Sequence, residues 1–165
     1  MARDALKSLA RRVGARLKKR RLKLAAAESC TGGWIAQAVT SIAGSSEWFD
    51  RGFVTYSNQA KKDLLGVRAA TLSRHGAVSE ATAREMASGA LKRSQAQITV
   101  AVTGIAGPGG GTREKPVGTV CFAWARKKGG IESIELRFRG NRDGIRRRSV
   151  AFAMRGLLER LKEGG

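Results

Sequence analysis

The run Leu22–Ala27 is short and apolar, and it breaks off into Glu28-Ser29-Cys30-Thr31-Gly32-Gly33 just before a helical pattern opens at Trp34. An apolar segment of this length suits a strand buried on both faces, and such strands need helices on either side of their sheet. The rest of the chain repeats that logic. Leu6, Leu9, Val13 and Leu17 recur at spacings of three and four, which predicts an amphipathic helix over 3–20. A second helix is expected from Trp34 to Ile42, ended by Gly44, and a second strand over Phe53–Tyr56. Ser57-Asn58 can cap a helix carrying Gln59–Leu65 that Gly66 stops, and Ser79 can cap another running to about Ser94. Ile98–Thr103 reads as a third strand. Val117–Ala125 and Ile131–Phe138 flank Lys127-Lys128-Gly129-Gly130 and read as an antiparallel hairpin. Asn141 can start the last helix, with Ile145, Val150, Phe152, Leu157, Leu158 and Leu161 as its apolar positions.

Alternating strands and helices that end in a hairpin predict a three-layer α/β/α sandwich with a mixed β-sheet, formed by residues 1–165 as a single domain. The pattern does not fix the strand order. Ligands in such folds bind beyond the carboxyl ends of the strands, where segments 28–33, 56–61 and 103–111 are expected to meet.

Ser29 leaves a strand and precedes a glycine pair that opens a helix, so its hydroxyl can face the crevice. The amides of Thr31, Gly32 and Gly33 at that helix start could hold an oxyanion or a phosphate. An ordinary N-cap is the alternative reading of the same serine. A nucleophilic serine needs a base, because its hydroxyl is weak at neutral pH. The chain has one histidine, His75, with no carboxylate near it in sequence. Lys61 and Lys62 are the other candidates, since a lysine serves once burial makes it neutral; the residues alone do not choose between them.

The stretch Gly104–Gly111 can present successive N–H groups to an anion, or can be a tight loop lying against another backbone. It is neither a Walker A loop nor a dinucleotide fingerprint. Thr103 offers a hydroxyl at its start. With one histidine and no carboxylate cluster at ligand spacing, no metal is expected.

Charge bounds the partners. Thirty-two Lys and Arg against 13 Asp and Glu give +19, concentrated in residues 11–23 and 137–148. Such a field reads as a solvated basic surface that also attracts small anions and binds nucleic acid non-specifically. A dedicated nucleic-acid partner is not expected, because aromatics are 5% and do not interleave with the basic residues. No apolar run approaches the roughly 20 residues of a membrane span, and no apolar segment follows the basic N-terminus as in a secretory signal. Cys30 and Cys121 lie in apolar or glycine-rich runs and read as reduced thiols, which suggests a cytoplasmic protein. Self-association is expected, without a stoichiometry.

Six blocks occur in order: Ala27-Glu28-Ser29-Cys30-Thr31-Gly32-Gly33, Gly44-Ser45-Ser46, Tyr56-Ser57-Asn58-Gln59-Ala60-Lys61, Gly76-Ala77-Val78-Ser79, Thr103-Gly104-Ile105-Ala106-Gly107-Pro108 and Lys115-Pro116-Val117-Gly118-Thr119. Together they resemble the CinA C-terminal domain family across residues 5–160. The resemblance implies an α/β/α Ser/Lys hydrolase that converts nicotinamide mononucleotide to nicotinate mononucleotide and ammonia without a cofactor. It implies Ser29 as nucleophile, Lys61 rather than Lys62 as base, and Tyr56 and Thr103 as helpers in proton transfer. Substrate contacts are then expected from Thr31, Gly32, Gly33, Asn58, Gly104, Gly107, Gly109, Gly110 and Arg142, the last with the 104–111 loop holding the phosphate. Two positions depart from the family pattern: Asn141 stands where it has an aspartate in Gly-Asp-Arg, and Gln97 where it commonly has one before the third strand. A nucleotide-binding regulatory module without turnover is the alternative that the family's link to competence and DNA damage implies. A nucleic-acid-binding protein driven by charge is the other.

Overall fold

The computed structural model describes residues 2–162; Met1 and residues 163–165 of the expected domain lie outside it. In chain order the elements are α1 (Ala2–Arg20), β1 (Leu24–Glu28), α2 (Trp34–Thr40), β2 (Phe49–Val54), α3 (Asn58–Leu65) and α4 (Ala69–His75). They continue with α5 (Glu80–Lys92), β3 (Ile98–Gly104), β4 (Thr119–Arg126), β5 (Gly130–Arg137) and α6 (Arg142–Arg160). The five strands form one sheet in the order β2-β1-β3-β4-β5. β1 runs parallel to β2 and β3, while β4 and β5 are antiparallel to their neighbours. The fold is therefore the expected three-layer sandwich on a mixed sheet.

Strand alternation gives the sheet two unlike faces. Leu24, Ile98, Val100, Val102, Phe122 and Trp124 point to one side, where they pack against α1, α2 and α6. Ala27, Ala101, Cys121, Ala123 and Ala125 point to the other. That small-residue face lets α5 lie close, with Ala83, Ala87 and Ala90 buried against it and Thr99 Oγ1 donating to the Ala87 carbonyl at 2.8 Å. On the opposite side Gly156 of α6 has the same function. A Cβ there would stand 2.1 Å from the Trp124 ring, whose Nε1 donates to Ala153 O at 3.1 Å.

The helix starts follow from local chemistry. Ser57, Ser79 and Asn141 each accept a backbone N–H three residues on, from Ala60, Thr82 and Gly144. Gly66 ends α3 in the left-handed conformation. Two expectations need correction. β2 is Phe49–Val54 rather than Phe53–Tyr56, because its pairing with β1 ends at Val54 and the Thr55 N–H makes the last bond to Glu28 O. As an edge strand carrying Asp50, Arg51 and Gly52, it has no apolar alternation to read. Helix α4 was not anticipated: it has seven residues, no side-chain cap, and only Thr71 buried. Among the described residues no helix is long and apolar enough to cross a membrane.

Candidate active site

β1, β2 and β3 all end at the same edge of the sheet, and the turns that leave them enclose a cavity of about 300 Å³. Ser29, Lys61, Thr103 and the 104–110 loop line it, with Ala77 and Val78 on one side and Arg142 from the start of α6 on another. The three segments expected to meet do so here.

The Ser29 turn is locked from inside. Glu28 ends an entirely buried strand and is itself fully buried. Its carboxylate accepts the Thr31 hydroxyl at 2.7 Å and the N–H groups of Ile35 and Ala36 at 2.8 and 3.1 Å. The Gly33 N–H also holds it. Burial pushes the Glu28 carboxyl above its ordinary range, and these donors oppose that push. The side chain thus caps α2, which has no cap of its own at Gly33. Gly32 and Gly33 take φ values of 60° and 101°, a left-handed pair that other residues resist. From α6, Arg146 donates to the carbonyls of Cys30 at 3.0 Å and Thr31 at 3.2 Å, and its guanidinium lies over Trp34. Residue patterns gave no role to Glu28 or Arg146; a carboxylate at the end of a wholly apolar strand was the available signal for the first.

Lys61 enters from the first turn of α3 and is 1% exposed. Its Nζ lies 2.9 Å from Ser29 Oγ, 2.8 Å from Thr55 O and 3.0 Å from Tyr56 O. No carboxylate pairs with it among the described residues. Burial lowers its pKa to about 8, so about a tenth of the amine is neutral at pH 7, where an ordinary lysine has almost none. A neutral amine has two N–H bonds and one lone pair. With both N–H groups taken by the two carbonyls, the lone pair faces the Ser29 hydroxyl. That is the geometry of a general base beside its nucleophile.

The other expected residues divide. Thr103 donates its proton to Ala77 O at 2.8 Å, so its oxygen is left as an acceptor at the cavity wall. Gly104, Gly107, Gly109 and Gly110 line the cavity. A Cβ on Gly107 would stand 2.4 Å from Val117, and φ is +77° there. Among the described residues, no acceptor takes the amides of Ala106, Gly107, Gly109 or Gly110. Arg142 donates to Gly107 O at 2.8 Å and to the Tyr56 hydroxyl at 3.4 Å.

Tyr56 lines the cavity too, with its hydroxyl facing Arg142 and its carbonyl meeting Lys61. Several other residues fall elsewhere. Thr31, Gly32 and Gly33 do not line the cavity. The Gly32 N–H closes a turn onto Ser29 O at 3.0 Å, and the Gly33 N–H and Thr31 hydroxyl serve Glu28. Asn58 is exposed at the start of α3, outside the cavity wall. His75 is exposed at the end of α4 and Lys62 is half-buried; neither lines the cavity. Cys30 and Cys121 are free thiols. Among the described residues, no group of histidine, cysteine and carboxylate side chains could hold a metal ion.

Both departures have a structural account. Asn141 Oδ1 caps α6 by accepting the Gly144 N–H at 2.8 Å, as an aspartate oxygen would. Gln97 Oε1 accepts the Lys23 N–H at 2.7 Å and ties the start of β1 to that of β3.

The chain is 53% identical over 160 residues to the nicotinamide-nucleotide amidohydrolase PncC of Escherichia coli (strain K12), covering 96% of each. It is 55% identical over 151 residues to a CinA-like protein of Chlorobaculum tepidum, covering 89% of this chain and 36% of that longer one. The crystal structure of competence/damage inducible protein CihA from Agrobacterium tumefaciens superposes with a TM-score of 0.92 at 51% identity, covering 94% of both chains. With the profile of the CinA C-terminal domain matching residues 6–161, the chain belongs to that family.

Proposed function

We propose that this chain hydrolyses the carboxamide of nicotinamide mononucleotide to nicotinate mononucleotide and ammonia, through an acyl-enzyme on Ser29. The observation that carries the mechanism is the Lys61 amine, buried without a counter-ion and held by two carbonyls 2.9 Å from Ser29 Oγ. The substrate class rests on the likeness to the E. coli amidohydrolase over nearly the whole length of both chains.

In the first half-reaction, Lys61 takes the Ser29 proton as Oγ bonds to the carboxamide carbon. The negative charge that moves to the carboxamide oxygen needs N–H donors. Amides of the 104–110 loop serve there in place of those of Gly32 and Gly33, which are engaged elsewhere. The Thr103 oxygen, its own proton spent on Ala77, accepts from the carboxamide NH₂ and orients it. The C–N bond then breaks as Lys61 returns the proton to nitrogen, and ammonia leaves. Water attacks the ester with Lys61 again as base, which frees the acid and restores the Ser29 hydroxyl. The exposed Arg142 guanidinium at the cavity rim offers the contact for the 5′-phosphate. No step calls for a cofactor.

A cytoplasmic location is part of the same reading, supported by two free thiols and a phosphorylated metabolite as substrate. Self-association is supported by the exposed side chains of Val54, Tyr56 and Leu64 beside the site. The test is ammonia release from nicotinamide mononucleotide by wild type, S29A and K61A. Turnover by wild type and its loss in both variants are expected. Undiminished turnover in S29A would remove the nucleophile, and none in wild type would remove the substrate.

A further inference from the structure

The opposite edge of the sheet holds a second cleft, of about 260 Å³, that the amide chemistry does not use. It opens where β1 and β3 begin and β4 ends, between the last residues of α1 and α6. Arg142 at the catalytic cavity and Arg160 at this cleft are the two ends of α6, so the sites stand roughly 27 Å apart at the rise of an α-helix.

Its floor is apolar, formed by Leu22, Ile98 and Leu161, and its rim is cationic, with Arg20 on one side and Arg126, Lys127 and Lys128 on the other. Glu132 bridges Arg126 at 3.2 Å and Arg160 at 2.9 Å. Arg20, Lys127 and Lys128 make no ion pair with a described residue and are exposed. The frame around them is fixed. Arg160 lies 3.9 Å from the Trp124 ring centroid and donates to Gly156 O at 2.9 Å, while its buried Nε has no acceptor among the described residues. Gln97 joins three chain segments at the base, accepting Lys23 N–H on its side chain and Lys127 N–H on its carbonyl. Arg21 holds a left-handed backbone (φ 55°) where glycine is usual, so a cation is kept beside the cleft against the local backbone preference.

We propose that this cleft binds a nucleoside polyphosphate, independently of the catalytic cavity. Its volume is that of roughly nine water molecules, more than one phosphate group fills. The apolar floor suits a base, and the unpaired cations on facing walls suit a phosphate chain. Trp124 lies beneath Arg160 and is not among the residues that line the cleft, so the cleft offers no aromatic platform for a nucleic-acid strand.

Isothermal titration calorimetry of the full chain with ATP, adenosine, inorganic triphosphate and a short DNA duplex tests this. One ATP should bind per chain, more tightly than adenosine or triphosphate alone. The exposed-turn variant K127E/K128E should weaken ATP by about tenfold or more, with an unchanged unfolding midpoint. R74E/K92E, which changes net charge equally on exposed positions elsewhere, should leave ATP affinity unchanged, as should R142A at the other cavity. Equal weakening in both double variants would reduce the effect to net charge and overturn the site. Loss of ATP binding in R142A would move the ligand to the catalytic cavity and overturn it too. Triphosphate binding as tightly as ATP refutes the nucleoside part, and duplex binding without saturable ATP binding refutes the whole.

Discussion

Replacing Lys61 by methionine removes the proposed base and leaves an apolar side chain of similar length in a pocket that admits almost no solvent. The effect on stability follows from the amine's titration. In the unfolded chain a lysine stays protonated to its ordinary value of 10.5, whereas burial lowers Lys61 to about 8 in the folded protein. Between those values the unfolded state binds more protons, so stability rises with pH across that window. Below pH 8 nearly the full penalty of holding this lysine is present, about 3 kcal/mol near pH 7. By about pH 10 less than about 1 kcal/mol of it is left. Methionine carries no such term. The stability of K61M relative to wild type should therefore fall by about 2–3 kcal/mol between these two conditions. The variant also leaves Thr55 O and Tyr56 O without their donor, at about 1 kcal/mol each. That loss is common to both conditions, so it lowers the whole difference curve without changing its slope. Urea unfolding followed by circular dichroism, run on both proteins at the two pH values with equal m-values, measures the difference. Parallel stabilities at the two pH values would refute a lowered pKa at Lys61, and with it the neutral base.

The same titration should appear in kinetics: kcat/KM for carboxamide hydrolysis should rise about tenfold from pH 7 to pH 9 and then level, and a flat profile would exclude Lys61 as base. Thr31→Val deletes the hydroxyl that donates to the buried Glu28 carboxylate; it should cost about 1.5–3 kcal/mol in urea unfolding, because it removes a buried hydrogen bond to a charged group whose Oε1 then keeps only the Ile35 N–H. Burial pushes both thiols, Cys30 and Cys121, up to about 12. Both should resist a thiol reagent in the native state near pH 7.5 and react together in denaturant, and rapid native reaction of either would contradict its burial.

What could be read in the sequence was what is encoded locally. Ser57, Ser79 and Asn141 sit where their side chains accept an N–H three residues on, and Gly66 sits at a left-handed helix end. Each of those is decided within one turn of chain. β2 was misplaced because an edge strand is stabilised on one side only and need not alternate, and its register is set by β1 across the gap. The strands themselves were legible as apolar runs, but their order depends on which face each crossover helix covers.

The site divides along the same line. Ser29 and the 104–110 loop were legible because strand ends and glycine runs are local signals, whereas the choice of Lys61 over Lys62 is set by the phase of α3 relative to the end of β2. Thr55 and Tyr56 directly precede the Ser57 cap, so the first turn of α3 folds back over their carbonyls and brings Lys61 Nζ onto both. Lys62, one position round the helix, cannot make those bonds. The amides of Gly32 and Gly33 are taken up for the converse reason. A free helix start invites an anion, but here the anion is already present as Glu28, brought in by the strand itself. The Gly33 N–H is spent on Glu28 and the Gly32 N–H on the Ser29 carbonyl, so the proposed mechanism looks to the loop after β3 for its donors. A single buried carboxylate thus fixes the backbone that carries Ser29.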